Sequence, residues 1–262
     1  MKEPRMTNWQ DATDTNGRKT LEFHLETSRD RDVTGALWIP TQLLDDALSP
    51  HLICFGHGAS GDRYQPPITH MAGRFVDRGF PVLSIDGPVH GLRQQGEGGR
   101  TAFGAELARS ECIAEMTDDW QVAIEAAQGH QQVGTTPLAY FGLSMGSIFG
   151  VPLVGARDDF TVATLGLLGI GEHFPNGFEV MAAAAMINCP VLFLMQLEDE
   201  LFDRNSYLDL FDALATDDKR IHANPGLHPD VPTQEINFSF DFMCHHLTKN
   251  SAPDPKASPI AE

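Results

Sequence analysis

Ser144 lies at the centre of Gly142-Leu143-Ser144-Met145-Gly146, the one G-x-S-x-G in the chain. An apolar run, Pro137 to Phe141, precedes it, and Ser147-Ile148-Phe149-Gly150-Val151 follows as a helix opening. Between a strand and a helix, this pentapeptide forms a sharp, strained turn that presents the serine above the sheet edge. Glycine two residues to either side lets neighbouring backbones pass close by without meeting a Cβ. A serine hydroxyl is a weak nucleophile at neutral pH. It needs a base to take its proton and a third group to orient that base. When such a turn carries the nucleophile, the partners follow in the order serine, acid, base. Asp199 and His228 satisfy that order. His228 ends a Pro-Gly-x-His turn from which a side chain can reach back over Ser144. His222 lies inside an expected strand and His245 and His246 on the last expected helix, where structural or solvent-facing roles suit them better. Asp199 stands among Glu198, Glu200 and Asp203. It fits the short loop after a strand best, with Glu198 next, and Asp203 suits a helix N-cap.

Attack on an acyl carbonyl leaves an oxyanion, which calls for preorganised N–H donors. The residue after the nucleophile, Met145, supplies one. The loop His57-Gly58-Ala59-Ser60-Gly61 supplies the other, and Ala59 is the expected donor. His57, Tyr64, His90 and Phe174 are candidate pocket residues. Asp86 and Arg93 read more readily as structural, with Asp86 holding loop N–H groups and Arg93 pairing with it or with Asp62. No metal site stands out: adjacent histidines on a helix, as at 245 and 246, point about 100° apart and chelate poorly. No nucleotide fingerprint is present, and no cofactor is expected.

These side chains converge only if the elements between them place them at one edge. Residues 20–28 alternate apolar and polar as an antiparallel strand does, and Val33 to Ile39 reads as a second strand. The runs 52–55, 82–85, 138–141, 161–165 and 191–194 are nearly continuous apolar stretches, the signature of parallel strands buried on both faces. A short strand is expected at 219–223, and helices over 66–79, 103–129, 145–156, 177–187, 203–216 and 233–248. Strands alternating with helices predict an α/β fold, a three-layer α/β/α sandwich around a mostly parallel sheet. Ligands of open parallel sheets bind at the carboxyl ends of the strands, which is where every candidate above falls. Only about a dozen residues follow the 161–165 strand before the next helix, so no large lid domain is expected. The expected division is an N-terminal extension at 1–18, one domain at 19–249 and a disordered tail at 250–262.

The chain has 262 residues and a formal charge of −18, from 18 basic and 36 acidic residues. That balance disfavours nucleic acid and anionic membrane as partners. The N-terminus carries no apolar secretory core, no apolar run approaches membrane-spanning length, and the four cysteines form no C-x-x-C pair. Buried thiols and a cytoplasmic location are the expectation.

Together these motifs resemble the α/β-hydrolase superfamily over about residues 20–248. The residues that carry the resemblance are His57–Gly61, the D-G-P-x-H-G-x-R stretch Asp86–Arg93, the turn at 142–146, the acid loop at Asp199 and Pro225–His228. The D-G-P-x-H-G stretch and the lidless layout are most similar to the dienelactone hydrolase-like and related small esterase or acyl-peptidase-type members. The resemblance implies an eight-stranded sheet and acyl-enzyme chemistry and does not fix the substrate; a small-molecule ester as partner and a monomer or homodimer are the expectation. Dienelactone hydrolases proper use a cysteine nucleophile, so serine at 144 points to a carboxylesterase. Thioester, lactone, amide or acyl-peptide hydrolysis by the same triad is the alternative, and a non-catalytic receptor on the same scaffold the remaining one.

Overall fold

A computed structural model describes residues 5–27, 31–41 and 51–247. Nine strands form one sheet: β1 (Arg5–Thr13), β2 (Lys19–Glu26), β3 (Asp32–Trp38), β4 (Leu52–Gly56), β5 (Val82–Ile85), β6 (Leu138–Gly142), β7 (Phe160–Gly166), β8 (Val191–Gln196) and β9 (Lys219–Asn224). Their order across the sheet is β1-β2-β3-β5-β4-β6-β7-β8-β9. Pairings from β1 to β5 along that order are antiparallel, and all the rest are parallel. The sheet has one strand more than the eight implied by the resemblance. The addition is β1: residues 5–13, expected to precede the domain, pair with β2 and form the edge of the sheet. Their mixed polar sequence hides the strand, because an edge strand packs little and shows no strong apolar signal. The tail expected at 250–262 lies outside the described residues.

The continuous apolar runs are explained by burial on both faces. Successive residues of β4 enter opposite cores: Leu52 and Cys54 one, Ile53 and Phe55 the other. Helices α1 (Pro66–Val76) and α7 (Thr233–Leu247) pack on the face that holds Phe55, through Met71, Phe75, Phe240 and Met243. On the other face lie α3 (Cys112–Gln128), α4 (Met145–Gly155), α5 (Gly177–Ala184) and α6 (Arg204–Ala213), through Trp120, Phe149, Val180 and Tyr207. A single helix was expected over 103–129, but the chain forms α2 (Gly99–Leu107) and α3, separated at 108–111. The break redirects the chain, so α2 packs Phe103 against His90 and Phe149 at centroid distances of 5.4 and 6.4 Å.

Strand order turns around β4, whose chain neighbour β5 lies on one side and β6 on the other. Gly56 at the end of β4 pairs with Gly142 at the end of β6. The loops after these two strands therefore start side by side, at the crevice where open α/β sheets bind ligands.

Candidate active site

Ser144 is the residue between β6 and α4, with φ 57° and ψ −120°. A non-glycine residue in that region is strained and persists only where its surroundings hold it. Here they do. The Ser144 N–H donates to the Gly166 carbonyl at 3.0 Å. The buried Ser147 hydroxyl lies 2.7 Å from the Gly142 carbonyl and 2.8 Å from both the N–H and the carbonyl of Gly166. A Cβ on Gly146 would come within 2.4 Å of the Gly56 carbonyl oxygen, so glycine is required where α4 passes β4.

Ser144 Oγ lies 2.8 Å from His228 Nε2, and His228 Nδ1 lies 2.7 Å from Asp199 Oδ2. A carboxylate accepts, so Nδ1 carries the ring proton and Nε2 is left to take one from Ser144. The side chain of Asp199 is fully buried and that of His228 is 11% exposed. Burial pushes the Asp199 carboxyl up, but hydrogen bonds from Tyr207, His228 and the Leu201 N–H outweigh it and hold the group below its usual range. Asp199 is therefore the charged partner that orients the imidazole and favours its protonated form.

Glu198 and Glu200, on either side of Asp199, do a different job. Glu200 Oε2 accepts the His228 backbone N–H at 2.8 Å, and Glu198 Oε2 accepts the Gly226 N–H. Asp230 Oδ2 takes the Leu227 N–H at 3.0 Å, and Gln196 Nε2 donates to the Asp230 carbonyl at 2.9 Å. The loop that carries the base is thus tied to the loop that carries the acid. Asp203 caps α6 by accepting the Asn205 and Ser206 N–H groups, as its position predicts. The three rival histidines lie elsewhere: His222 bonds Glu235 at 2.8 Å, and His245 and His246 sit on α7.

Among the described residues, the backbone N–H groups of Ala59 and Met145 meet no acceptor. Their neighbours are fixed. Gln65 Oε1 takes the Gly58 N–H at 2.7 Å, and the Ala59 carbonyl lies 3.0 Å from His90 Nε2. Met145 opens α4, where the aligned peptide dipoles favour negative charge.

Three of the four expected pocket residues have their polar atoms engaged within the protein, and His57 also lines a small cavity beside Met145 and Gly146. His57 Nε2 accepts the Gly87 N–H at 2.8 Å, so its Nδ1 carries the proton and donates to the Gly58 carbonyl at 2.8 Å. Burial pushes His57 down to about 4, with nearby His90 adding to the fall. The nitrogens of His90 face the carbonyls of Pro88 and Ala59, at 2.7 and 3.0 Å. The Tyr64 hydroxyl bonds Thr20 Oγ1 at 2.8 Å and its ring packs on Trp38. Phe174 stacks on Phe202 at 6.2 Å, and Phe202 on the His228 ring at 5.7 Å, forming an aromatic wall beside the base.

Sequence reasoning missed Tyr207 altogether: its hydroxyl donates to Asp199 Oδ2. An N-capped helix following an acid loop was the available signal. It also missed the ion pairs behind the site. Buried Asp86 accepts from Thr34 Oγ1 at 2.7 Å, Arg63 Nη1 at 2.8 Å and the Leu92 N–H at 3.2 Å. Arg93, expected to pair with Asp86 or Asp62, instead holds Asp119 at 2.7 Å and reaches only the Asp86 carbonyl, at 3.1 Å. A cleft of about 570 Å3 is lined by this polar cluster, including Arg31, Arg93, Arg109 and Asp119, and by none of Ser144, Asp199 or His228. Among the described residues no group of His, Cys, Asp and Glu side chains could hold a metal, and no helix is long and apolar enough to cross a membrane.

No protein-family model matches the sequence, and no curated protein matches it. Solved structures do. A cold-adapted esterase from an Arctic intertidal metagenomic library is 30% identical with a TM-score of 0.76, over 92% of this chain and 100% of that one. The acetyl xylan esterase of Paenibacillus sp. R4 is 13% identical with a TM-score of 0.65, over 90% of this chain and 86% of that one. An acylaminoacyl peptidase of Pyrococcus horikoshii is 13% identical with a TM-score of 0.64, over 97% of this chain and 52% of that one. At 13% identity the last two are similar in fold.

Proposed function

The chain belongs to the α/β-hydrolase superfamily, and from that premise we propose that it is a serine carboxylic ester hydrolase acting through an acyl-enzyme. The observation that carries this reading is the unbroken relay from Ser144 Oγ through His228 to Asp199, with 2.8 and 2.7 Å links, on a strained turn at a helix N-terminus. Ser144 Oγ attacks the ester carbonyl carbon as its proton passes to His228 Nε2. The carbonyl oxygen becomes an oxyanion held by the Met145 and Ala59 N–H groups. Collapse expels the alcohol, which takes the proton from His228. Water then repeats the sequence on the acyl-enzyme and releases the acid and Ser144. Asp199 stays ionised throughout and stabilises the imidazolium.

The substrate is a small-molecule ester, bounded beside the base by Phe174 and Phe202. The Asp86–Arg93 stretch supports a place near the dienelactone hydrolase-like esterases, with serine in the nucleophile position. No disulfide joins the four cysteines, and Cys54, Cys112 and Cys244 are buried, which suits a reducing cytoplasm.

The test is Ser144→Ala against wild type, with p-nitrophenyl acetate turnover and fluorophosphonate labelling as readouts. The variant should keep its fold, lose labelling, and fall by about 10⁴-fold or more in kcat. Full turnover in the variant would overturn the reading. A panel of ester, thioester, lactone and N-acyl amide substrates then assigns the acyl class. Tight small-molecule binding without labelling in the wild type would mark a receptor instead.

A further inference from the structure

Asp199 carries more donors than a triad acid needs. Its Oδ1 accepts the backbone N–H groups of Leu201 at 2.7 Å and Phe202 at 3.1 Å. Those bonds shape its own loop. Its Oδ2 accepts two side chains at once: His228 Nδ1 and the Tyr207 hydroxyl. Tyr207 stands in the first turns of α6, is fully buried, and packs its ring against Phe193 and Phe202 at 6.3 and 6.0 Å. A phenylalanine would fill almost the same space. The hydroxyl donates to the oxygen that holds the catalytic imidazole, and the Gln196 backbone bonds it as well.

We infer that Tyr207 is a positioning residue that sets the basicity of His228 by competing for Asp199 Oδ2. This rests on the serine relay proposed above and adds a regulator to it. Two donors on one carboxylate oxygen share its charge: the more strongly one donates, the less negative charge the other feels. With Tyr207 in place, Asp199 stabilises the His228 imidazolium less than a carboxylate left to His228 alone. The donor strength of the phenol is passed to the imidazole through this shared oxygen. The phenol can do this throughout, since burial and then the Asp199 bond push its pKa far up, so it stays a donor. The other charged groups that face this loop bond its backbone rather than the imidazole: Glu200 the His228 N–H, Glu198 the Gly226 N–H and Asp230 the Leu227 N–H. On the Nε2 side the partner is Ser144. Among the described residues, Tyr207 is thus the one donor that shares the side-chain oxygen holding His228.

The experiment compares pH profiles of kcat/KM for p-nitrophenyl acetate in three forms: wild type, Tyr207→Phe, and a protein carrying 3-fluorotyrosine at 207. In Tyr207→Phe the acid limb should move to higher pH by about 0.5–1 unit, since losing a donor strengthens the carboxylate's hold on the imidazolium. Fluorination makes the phenol a stronger donor and should move the limb to lower pH. A purely packing role would change plateau rates and leave the limbs coincident, and coincident limbs in all three forms would overturn the inference. If Tyr207→Phe does not fold, the nearly isosteric fluorotyrosine form decides by itself. Fluorophosphonate labelling of the wild type separates this from the parent reading: an unlabelled wild type overturns the relay, whereas a labelled wild type with unmoved limbs overturns only the part assigned to Tyr207.

Discussion

At the scale of single residues, the site is a set of strained or buried groups whose costs are met by specific partners. The left-handed backbone at Ser144 is held by a hydroxyl that is not itself nucleophilic, that of Ser147. Ser147→Ala would leave the Gly166 N–H without its partner, at a cost of about 1–3 kcal/mol. Urea denaturation should show that loss together with a fall in kcat, since the carbonyl of the same residue accepts the Ser144 N–H. His57 makes a second, pH-dependent contribution. It is neutral in the fold, with its pKa depressed from 6.5 to about 4 by burial. The unfolded chain takes up that proton first as pH falls. The contribution is therefore complete above about pH 6.5 and is lost progressively down to about pH 4, to the extent of about 3 kcal/mol. In His57→Gln, the slope of unfolding free energy against pH in that window should flatten. An unchanged slope would assign acid sensitivity to other groups.

At the scale of elements, the active site is the junction of five loops, and two devices join them. One is backbone contact. β4 and α4 approach so closely that Gly146→Ala would drive a Cβ into the Gly56 carbonyl oxygen. Such overpacking costs about 1–3 kcal/mol or more and would move the Met145 N–H away from Ala59. The expected result is a lower Tm and a disproportionate drop in kcat with KM little changed. The other device is a chain of ion pairs. It runs from Glu22 through Arg63 to Asp86, then from Arg93 through Asp119 to Arg31, and on through Glu115 to Arg109 and Glu106. It fastens the loop after β5 to β2, α2 and α3, and that loop in turn braces the oxyanion loop through His57 and His90. Asp119 is the keystone: 1% exposed, it faces two arginines. Asp119→Asn leaves Arg93 with the Asp86 carbonyl and Arg31 with Glu115, and should cost about 3–5 kcal/mol in denaturant unfolding, because breaking a buried pair strands the charge that remains.

At the scale of the molecule, a charge of −18 sets the solution behaviour. Like charges repel in the compact state, and salt screens exposed charges more than buried pairs. Raising sodium chloride from low concentration to roughly 0.3 M should therefore raise Tm. A fall would mean that screened surface pairs, such as Arg18–Asp77, outweigh the repulsion. The same charge field should slow turnover of anionic esters relative to neutral ones at low salt, with the gap closing as salt is added.

The layered α/β architecture was legible in the chain, since burial on both faces of a parallel sheet leaves short apolar runs and these alternate with helix-length segments. The sequence also picked out Ser144, Asp199 and His228 as the residues to bring together, because the chemistry of a serine nucleophile dictates residue types and the elbow dictates their order. Local pattern could not show β1, whose edge position asks for no apolar face, nor the break between α2 and α3. It could not show which carbonyls, N–H groups or hydroxyls the polar atoms of His57, Tyr64 and His90 meet, because several of those partners come from other elements. The tertiary structure alone decided the roles of Glu198 and Glu200 on the His228 loop, the ion-pair chain through Asp119, and the seat of Tyr207 on Asp199. Each of these depends on groups far apart in the chain meeting within hydrogen-bond distance, a property of the packed fold rather than of any stretch of residues.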